Sequence, residues 1–511
     1  MNSNSLCNHL KTLPEAFRDQ AEKSPQKAAL ILPSTDPDEA PKTITFAEAD
    51  RLIDQYARGL IGFGLKRGDR VAVRLEKSGA SLLLFFAILR IGCVYVPINP
   101  AYTYREAAFL IEDSDPVLLI DNDGTTGLLP ADTETHRCEF MTGGPTDLTL
   151  YETEEPFEEL QLSLDNVAAI LFTSGTTGQP KGAPLTHRNL MSNAVELAKL
   201  WDISPSDRVL HVLPIFHAHG LFIAAAMPLV HGAGLIVLPK FKADVVITHL
   251  PEATVLMAVP EIYTRLLAHD GFKRTACTSL RLITVGSAPL SPETFYALKD
   301  RTGLAVVERY GLTETNILTS NSSDGTARVG SVGRLLPGVD LHIVDSYGDN
   351  VAAGSVGRIM ARGPAIIQRY WSCTDQDSAL SQYGFFDTGD LGRMDEEGFL
   401  WLAGRSKDLI ISGGFNVYPR EVEIVIESLP EVEEVVVFGV AHPDFGEAVV
   451  AAVKLHKGIK KDADSIENVI RKNLARYKQP KKIIFVSKFP RNSMRKVLKT
   501  KLREEFSDTF Q

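Results

Sequence analysis

Short apolar strands rich in β-branched residues alternate with helix-like stretches along most of this 511-residue chain, and that alternation restricts the fold more than any other feature. Residues 70–73 (RVAV), 93–98 (CVYVPI), 168–172 (AAILF), 234–239 (GLIVLP), 254–259 (TVLMAV) and 280–286 (LRLITVG) read as strands. Helical patterns separate them, which is the α/β arrangement with largely parallel sheets. Thr45 with Glu48 reads as a capping box, and Phe46, Ala49, Leu52, Ile53, Tyr56, Leu60 and Ile61 then mark one helical face. Residues 81–89 read as a further helix. Residues 113–158 are polar with Gly-, Thr- and Pro-rich patches and are expected to run over the surface. From 398 to 414 the pattern becomes a compact GFLWLAGRSKDLIISGG. A helix near 420–427, strands near 432–440 and 448–453, a helix near 466–474 and a final KKIIFV follow, predicting a second, small α+β unit.

Composition narrows the class. Hydrophobic residues at 44% and charged residues at 23% are ordinary globular proportions, so disorder and fibrous repeats are excluded. The apolar stretches 81–98 and 220–239 are interrupted by Arg90 and by Pro228, His231 and glycines, short of the roughly 18–20 uninterrupted apolar residues of a membrane span. Cys7, Cys93, Cys138, Cys277 and Cys373 are scattered, without CxxC spacing, and read as reduced thiols of a cytoplasmic protein. The opening MNSNSLCNHLKTLPE has no run suited to a secretory signal. Charge is uneven. Thirteen of the 54 basic residues fall between 471 and 503, where no acidic residue occurs, leaving 41 against 64 acidic residues elsewhere. Either something anionic is handled near that end, or the segment is a solvated basic face.

The segment LFTSGTTGQPKG, residues 171–182, carries the most chemistry. A strand empties into Thr173, Ser174, Gly175, Thr176, Thr177 and Gly178, and Lys181 follows. Glycines let backbone N–H groups approach an anion, hydroxyls add donors, and the lysine adds charge. Neither the Walker A spacing nor GxGxxG is present, and a polar turn with no ligand is the competing reading.

The string TSGTTGQPKG resembles the phosphate loop of the adenylate-forming superfamily, which includes acyl-CoA synthetases, peptide-synthetase adenylation domains and luciferases. YGLTETN (310–316), FFDTGDLG (385–392), GRSKDLI (404–410), SGGFNVYPREVE (412–423) and PRNSMRKVLK (490–499) match in the same order, so the resemblance covers nearly the whole chain. It implies a large N-terminal domain of packed sheets and helices over 1–406 and a small mobile α+β lid over 407–511. It implies ATP, Mg²⁺ and coenzyme A as reactants, acting on a small carboxylic acid in a monomer or homodimer. A carboxylate attacks the α-phosphate to give acyl-AMP and pyrophosphate, and the thiol then displaces AMP.

Carried over residue by residue, Thr173–Gly178 and Lys181 would cradle the phosphates. Tyr310 would lie against adenine, Thr313 at the α-phosphate, and Glu314 would ligate magnesium. Gly286, Ser287, Ala288 and Pro289 resemble the adenine-flanking turn. Asp390 would accept the ribose hydroxyls, supported by Arg405. Lys407 would be the hinge, Gly413 and Gly414 would line the thiol tunnel, and Lys496 would reach the carboxylate and α-phosphate. The family's usual glycine before that lysine is Arg495 here, which either restricts a loop that must insert or adds a second positive charge at the phosphates.

LPIFHAHGLF (213–222), VYVPINPAYT (94–103), GVAHPDFGE (439–447) and the segment 279–290 most resemble malonyl-CoA synthetases. A dicarboxylate keeps one carboxylate unreacted, and that charge needs a buried cation. Arg281 is the expected clamp, with His219 as a supporting donor, Ser287 as a hydrogen-bonder and His217 at the gate. Arginine at that point also occurs in relatives that do not use malonate, and the histidines have core-packing readings too. Leu312 stands where that group often has methionine. The alternatives are a ligase for another short-chain, fatty or aryl acid, an adenylation partner of a carrier protein, and a nucleic-acid binder using the basic segment; the acidic remainder disfavours the last.

Overall fold

Local signals at the helix starts translate directly into structure. In the computed structural model, which describes residues 10–34, 40–121, 136–139, 160–174, 180–372, 378–413, 415–459, 463–491 and 497–510, the Thr45–Glu48 capping box closes as expected. Glu48 N–H donates to Thr45 Oγ1 at 3.2 Å and Thr45 N–H to Glu48 Oε2 at 2.8 Å. The same device opens the helices Gly79–Arg90, Tyr104–Ser114 and His187–Leu200. Along the helix Phe46–Gly62 the apolar face is buried at Phe46, Ala49, Ile53, Tyr56 and Leu60, while Ile61 at its end is 47% exposed.

The chain divides into two compact units. The first comprises Met1–Leu290, Thr294–Asp340 and Arg362–Phe386; the second comprises Ser291–Glu293, Leu341–Ala361 and Asp387–Gln511. The expected boundary at 406/407 therefore falls inside the second unit, between the strand Leu400–Arg405 and the rest of the C-terminal segment.

Two sheets organise the described residues of the first unit. One has the order Arg334–Leu335, Asn316–Ser320, Val306–Leu312, Leu282–Val285, Val255–Ala258, Arg208–His211, Gly234–Val237, Ala28–Leu32, Lys42–Thr45. Its central neighbours are parallel and its edges antiparallel. The other runs His136–Glu139, Leu118–Asp121, Arg70–Arg74, Val94–Pro97, Val167–Ser174, Pro180–Thr186, and only its last pair is antiparallel. Leu118–Asp121 corrects the expectation of a surface run from 113. Four residues, all buried, add a parallel strand beside Arg70–Arg74; a run that short leaves little periodicity to read.

Both apolar stretches are core. The helix Gly79–Arg90 is buried nearly all round, and its Arg90 pairs with Asp50 and Asp54. Residues 219–237 form a π-helix, His219–Ala226, a turn of α-helix and a buried strand. Among the described residues no helix is long and apolar enough to cross a membrane. Cys93 and Cys277 are free and buried, and burial pushes their thiols up to about 12 and about 11.

The second unit holds most of a sheet in the order Asp340–Val344, Gly357–Arg362, Phe386–Met394, Leu400–Arg405, whose last pair is antiparallel. A second sheet joins Phe415–Val417, Ile410–Ser412, Gly446–Leu455 and Val432–His442, with Lys482–Phe485 parallel to Gly446–Leu455. The expected helices are present as Pro419–Glu427 and Ala463–Asn473.

Candidate active site

Parallel strands deliver their C-terminal ends to one edge of a sheet, where loops collect functional groups. In the first unit the strands Arg208–His211, Leu282–Val285 and Val306–Leu312 lead to the segments carrying His217 and His219, Gly286–Pro289, and Thr313–Glu314. The phosphate-loop hairpin comes from the other sheet, with Thr173 opposite Lys181 in the antiparallel pair.

Glu314 ties these parts together. Its Oε1 accepts from Thr173 Oγ1 at 2.9 Å and from Tyr370 Oη at 3.3 Å. The Lys181 ammonium sits 5.2 Å from the centre of the Tyr370 ring. No motif points to Tyr370; a tyrosine in QRYW carries no spacing signal, and only the fold brings it between a lysine and a carboxylate. Gly175, Thr176, Thr177 and Gly178 lie outside the described residues, as does the Ser174 side chain. Thr313 is half-buried in the turn between Val306–Leu312 and Asn316–Ser320, and Tyr310 is buried one strand position beyond Arg309.

A second cluster forms around Arg309. This residue is 7% exposed, and burial holds its guanidinium down to about 10. Its Nε and Nη2 are buried with no hydrogen-bond partner among the described residues. Gly286 leaves room for it: a β-carbon there would lie 2.6 Å from Arg309 Cζ. Ser287 follows at φ +71°, a left-handed conformation that costs a non-glycine residue about 1–2 kcal/mol. That turn sets Ser287 Oγ 3.3 Å from His219 Nδ1. Burial keeps His219 well below its ordinary pKa, and the Arg309 charge adds to this. His217 is held down to about 4 by burial, so both imidazoles are neutral at pH 7. The Nε2 atoms of His217 and His219 are likewise buried without a described partner. Buried polar atoms are usually paired, so this grouping of a cation with neutral hydrogen-bonding side chains is chemically suited to an anionic group. Ala288 and Pro289 are exposed beside it.

Arg281, the expected carboxylate clamp, is a correction. It precedes Leu282–Val285 and so stands at the strand's N-terminal end, opposite to Gly286. Its Nε and Nη2 bind Asp207 at 2.8 and 2.6 Å, and further donors go to the carbonyls of Trp201 and Asp202. Asp207 also accepts from Thr254 Oγ1 at 2.7 Å. Three residues that each precede a neighbouring strand thus close a network at the edge away from the loops. The guanidinium is already committed there.

Within the second unit, Asp390 and Arg405 face each other across an antiparallel pair, Oδ1 to Nε 2.7 Å. Asp390 is the less exposed partner, 9% against 33%. Lys407 is exposed in the turn Ser406–Asp408, whose Asp408 receives Arg503 at 2.9 Å. Gly413 has φ +58° and donates its N–H to Phe445 O at 2.9 Å. Gly414, Arg495 and Lys496 lie outside the described residues.

The model of the AMP-binding enzyme matches residues 17–371, and that of the AMP-binding enzyme C-terminal domain matches 421–496. The chain belongs to the AMP-binding enzyme family. Relatives that match along nearly its whole length include acid–thiol ligases. Indoleacetate--CoA ligase of Aromatoleum aromaticum is 32% identical over 96% of this chain and 98% of its own length. Long-chain-fatty-acid--CoA ligase of Bacillus subtilis is 31% identical over 97% and 94%. ATP-bound MatB from Rhodopseudomonas palustris matches with a TM-score of 0.91 and 39% identity, over 98% of this chain and 100% of that one. As an AMP-binding enzyme the chain therefore has the adenylate-forming fold and falls among the acyl- and aryl-CoA ligases, which use ATP and coenzyme A. The acids named for these relatives differ, so the choice of acid has to come from this chain's own pocket.

Proposed function

We propose that the protein is a malonyl-CoA synthetase: it activates malonate, or methylmalonate, with ATP and passes the acyl group to coenzyme A. The observation that carries this reading is the buried Arg309 guanidinium, whose Nε and Nη2 have no partner among the described residues, beside Ser287 and the neutral His217 and His219. An acid with one carboxylate presents nothing to that cation once its carboxylate is at the phosphate. A dicarboxylate presents its second carboxylate, and charge-assisted hydrogen bonds would then use Nε and Nη2.

In the first half-reaction the substrate carboxylate oxygen attacks the α-phosphorus and pyrophosphate leaves. Two anions meet, so positioning and neutralisation dominate. Lys181 and the hydroxyl- and glycine-rich loop hold the leaving phosphates, Thr313 bonds the α-phosphate, and Lys496 bridges carboxylate and α-phosphate. Glu314 suits Mg²⁺, because both described hydrogen bonds to its carboxylate fall on Oε1, and one carboxylate plus phosphate oxygens satisfies a small hard cation. Bound there, the ion would neutralise phosphate charge. Tyr310 packs against adenine and Asp390, steadied by Arg405, accepts the ribose hydroxyls. In the second half-reaction the coenzyme A sulfur attacks the acyl carbon and AMP leaves, with Lys407 as hinge and Gly413 and Gly414 beside the thiol path.

The test is a panel of malonate, methylmalonate, acetate, hexanoate and benzoate with ATP, Mg²⁺ and coenzyme A, scored by AMP release. Malonate and methylmalonate are expected to give the highest kcat/KM. Arg309→Met should raise the malonate KM about 10–100-fold, the loss expected for hydrogen bonds between charged groups, with ATP KM within about twofold. Preference for hexanoate or benzoate over malonate would replace this reading with that of a fatty- or aryl-acid ligase.

A further inference from the structure

Lys77 lies between the strand Arg70–Arg74 and the helix Gly79–Arg90, and its side chain is buried although no carboxylate faces it among the described residues. Its Nζ donates to the carbonyls of His211 at 3.1 Å and Leu213 at 2.8 Å and stands 3.3 Å from His211 Nδ1. The other imidazole nitrogen, Nε2, is 2.8 Å from Gly220 O. A carbonyl only accepts, so Nε2 carries the proton and Nδ1 is the acceptor for Lys77. Burial brings Lys77 down to about 7, and either of its protonation states retains N–H donors for these bonds.

These bonds act on both ends of one segment. Leu213 begins it, and Gly220 is the second residue of the π-helix His219–Ala226. The segment turns back so tightly that a β-carbon on Gly220 would lie 1.9 Å from Pro214 O. Between the two anchored carbonyls stand His217 and His219. π-Helical turns recur at functional sites, where they re-aim side chains that a regular helix would place elsewhere.

We propose that Lys77 is a positioning residue for acid selection: through its carbonyl bonds and His211 it holds both ends of the 213–220 segment and so aims His217 and His219 at the acid. The proposal rests on the reading of the Arg309 cluster as the acid pocket. The described hydrogen bonds of the Lys77 ammonium all go to His211 and Leu213, so it acts through backbone carbonyls and the His211 ring.

The experiment uses the full-length enzyme and compares Lys77→Met, Lys77→Arg and His211→Phe by separate KM titrations of malonate and ATP. Lys77→Met is expected to raise the malonate KM at least tenfold with ATP KM within twofold. Lys77→Arg, which keeps donors at that point, should fall between wild type and Lys77→Met. His211→Phe should reproduce the split, and the double variant should be no worse than the worse single, because both cut one link. An unchanged malonate KM in Lys77→Met, or equal changes in both KM values, overturns the proposal. If Lys77→Met fails to fold, the same two outcomes in His211→Phe overturn it; if both fail to fold, Lys77 serves the fold alone and the proposal is overturned. Arg309→Met separates the two readings. If it leaves malonate KM unchanged, the acid-pocket assignment fails; if it raises malonate KM while Lys77→Met does not, only the positioning role fails.

Discussion

Arg309 and Tyr310 are consecutive in one strand, and alternation sends their side chains to opposite faces. The motif YGLTETN begins at Tyr310, one residue after the arginine proposed to hold the acid's second carboxylate. Arg281 stands close in sequence to a recognisable turn, which makes it the arginine a linear reading favours, yet strand polarity puts it at the far edge. Tyr370 shows the same limit: its two roles, donor to Glu314 and platform for Lys181, exist only after folding. They can be separated. Tyr370→Phe removes the hydroxyl and keeps the ring, so the Mg²⁺ concentration for half-maximal pyrophosphate release should rise about three- to tenfold with ATP KM unchanged. Tyr370→Leu also removes the face beneath the ammonium and should raise ATP KM by about two- to tenfold. Equal behaviour of the two variants in Mg²⁺ and ATP titrations would remove the distinction.

Strands with β-branched residues and helices with capping boxes were legible in the chain because each signal is local: a period, a cap, a glycine. The α/β class, the two-part division and the small C-terminal sheet follow from such signals. The hairpin Val306–Leu312 with Asn316–Ser320 was less legible, since ERYGLTETNILTS mixes polar and apolar residues without clean alternation. Its turn depends on close backbone approach. A β-carbon on Gly311 would sit 1.8 Å from Asn316 O, and Asn316 itself has φ +50°. Gly311→Ala must therefore spread the hairpin that carries Thr313 and Glu314. Thermal denaturation should show a loss of about 2 kcal/mol or more, and pyrophosphate release should fall further than the loss of folded protein explains. Wild-type stability and turnover in Gly311→Ala would mean that the turn relaxes freely.

The basic segment between 471 and 503 has a different character once folded. Arg471, Lys478, Arg491, Lys499 and Arg503 pair with Glu467, Glu421, Glu434, Glu423 and Asp408, all within the second unit and all before position 471 in the chain. A charge run in sequence is thus partly an internal set of ion pairs, which composition alone cannot reveal.

Burial of histidines affects the entire chain's response to acid. Burial holds His187, His211 and His217 down to about 4, about 3 and about 4, with Lys77 adding to the effect at His211. The unfolded chain takes up these protons near pH 6.5 and the folded chain does not, so stability is greatest above that value and falls as pH drops toward 4. Each histidine contributes up to about 1.4 kcal/mol per pH unit in that window. Urea midpoints from pH 7 to 4.5 should fall accordingly, and His187→Gln should flatten the slope by one proton; an unaltered slope would show that His187 is protonated when folded.

On the proposed reading of the Arg309 cluster, the Nε and Nη2 donors left without a partner among the described residues also set how unsuitable acids are refused. A monocarboxylate that fills the same space seals a desolvated cation away from water and offers it no partner, a cost that no apolar contact nearby can fully offset. Discrimination then comes from a penalty levied on the wrong acid as much as from attraction for the right one, so enlarging the pocket would broaden the range of acid sizes without admitting fatty acids while the arginine remains.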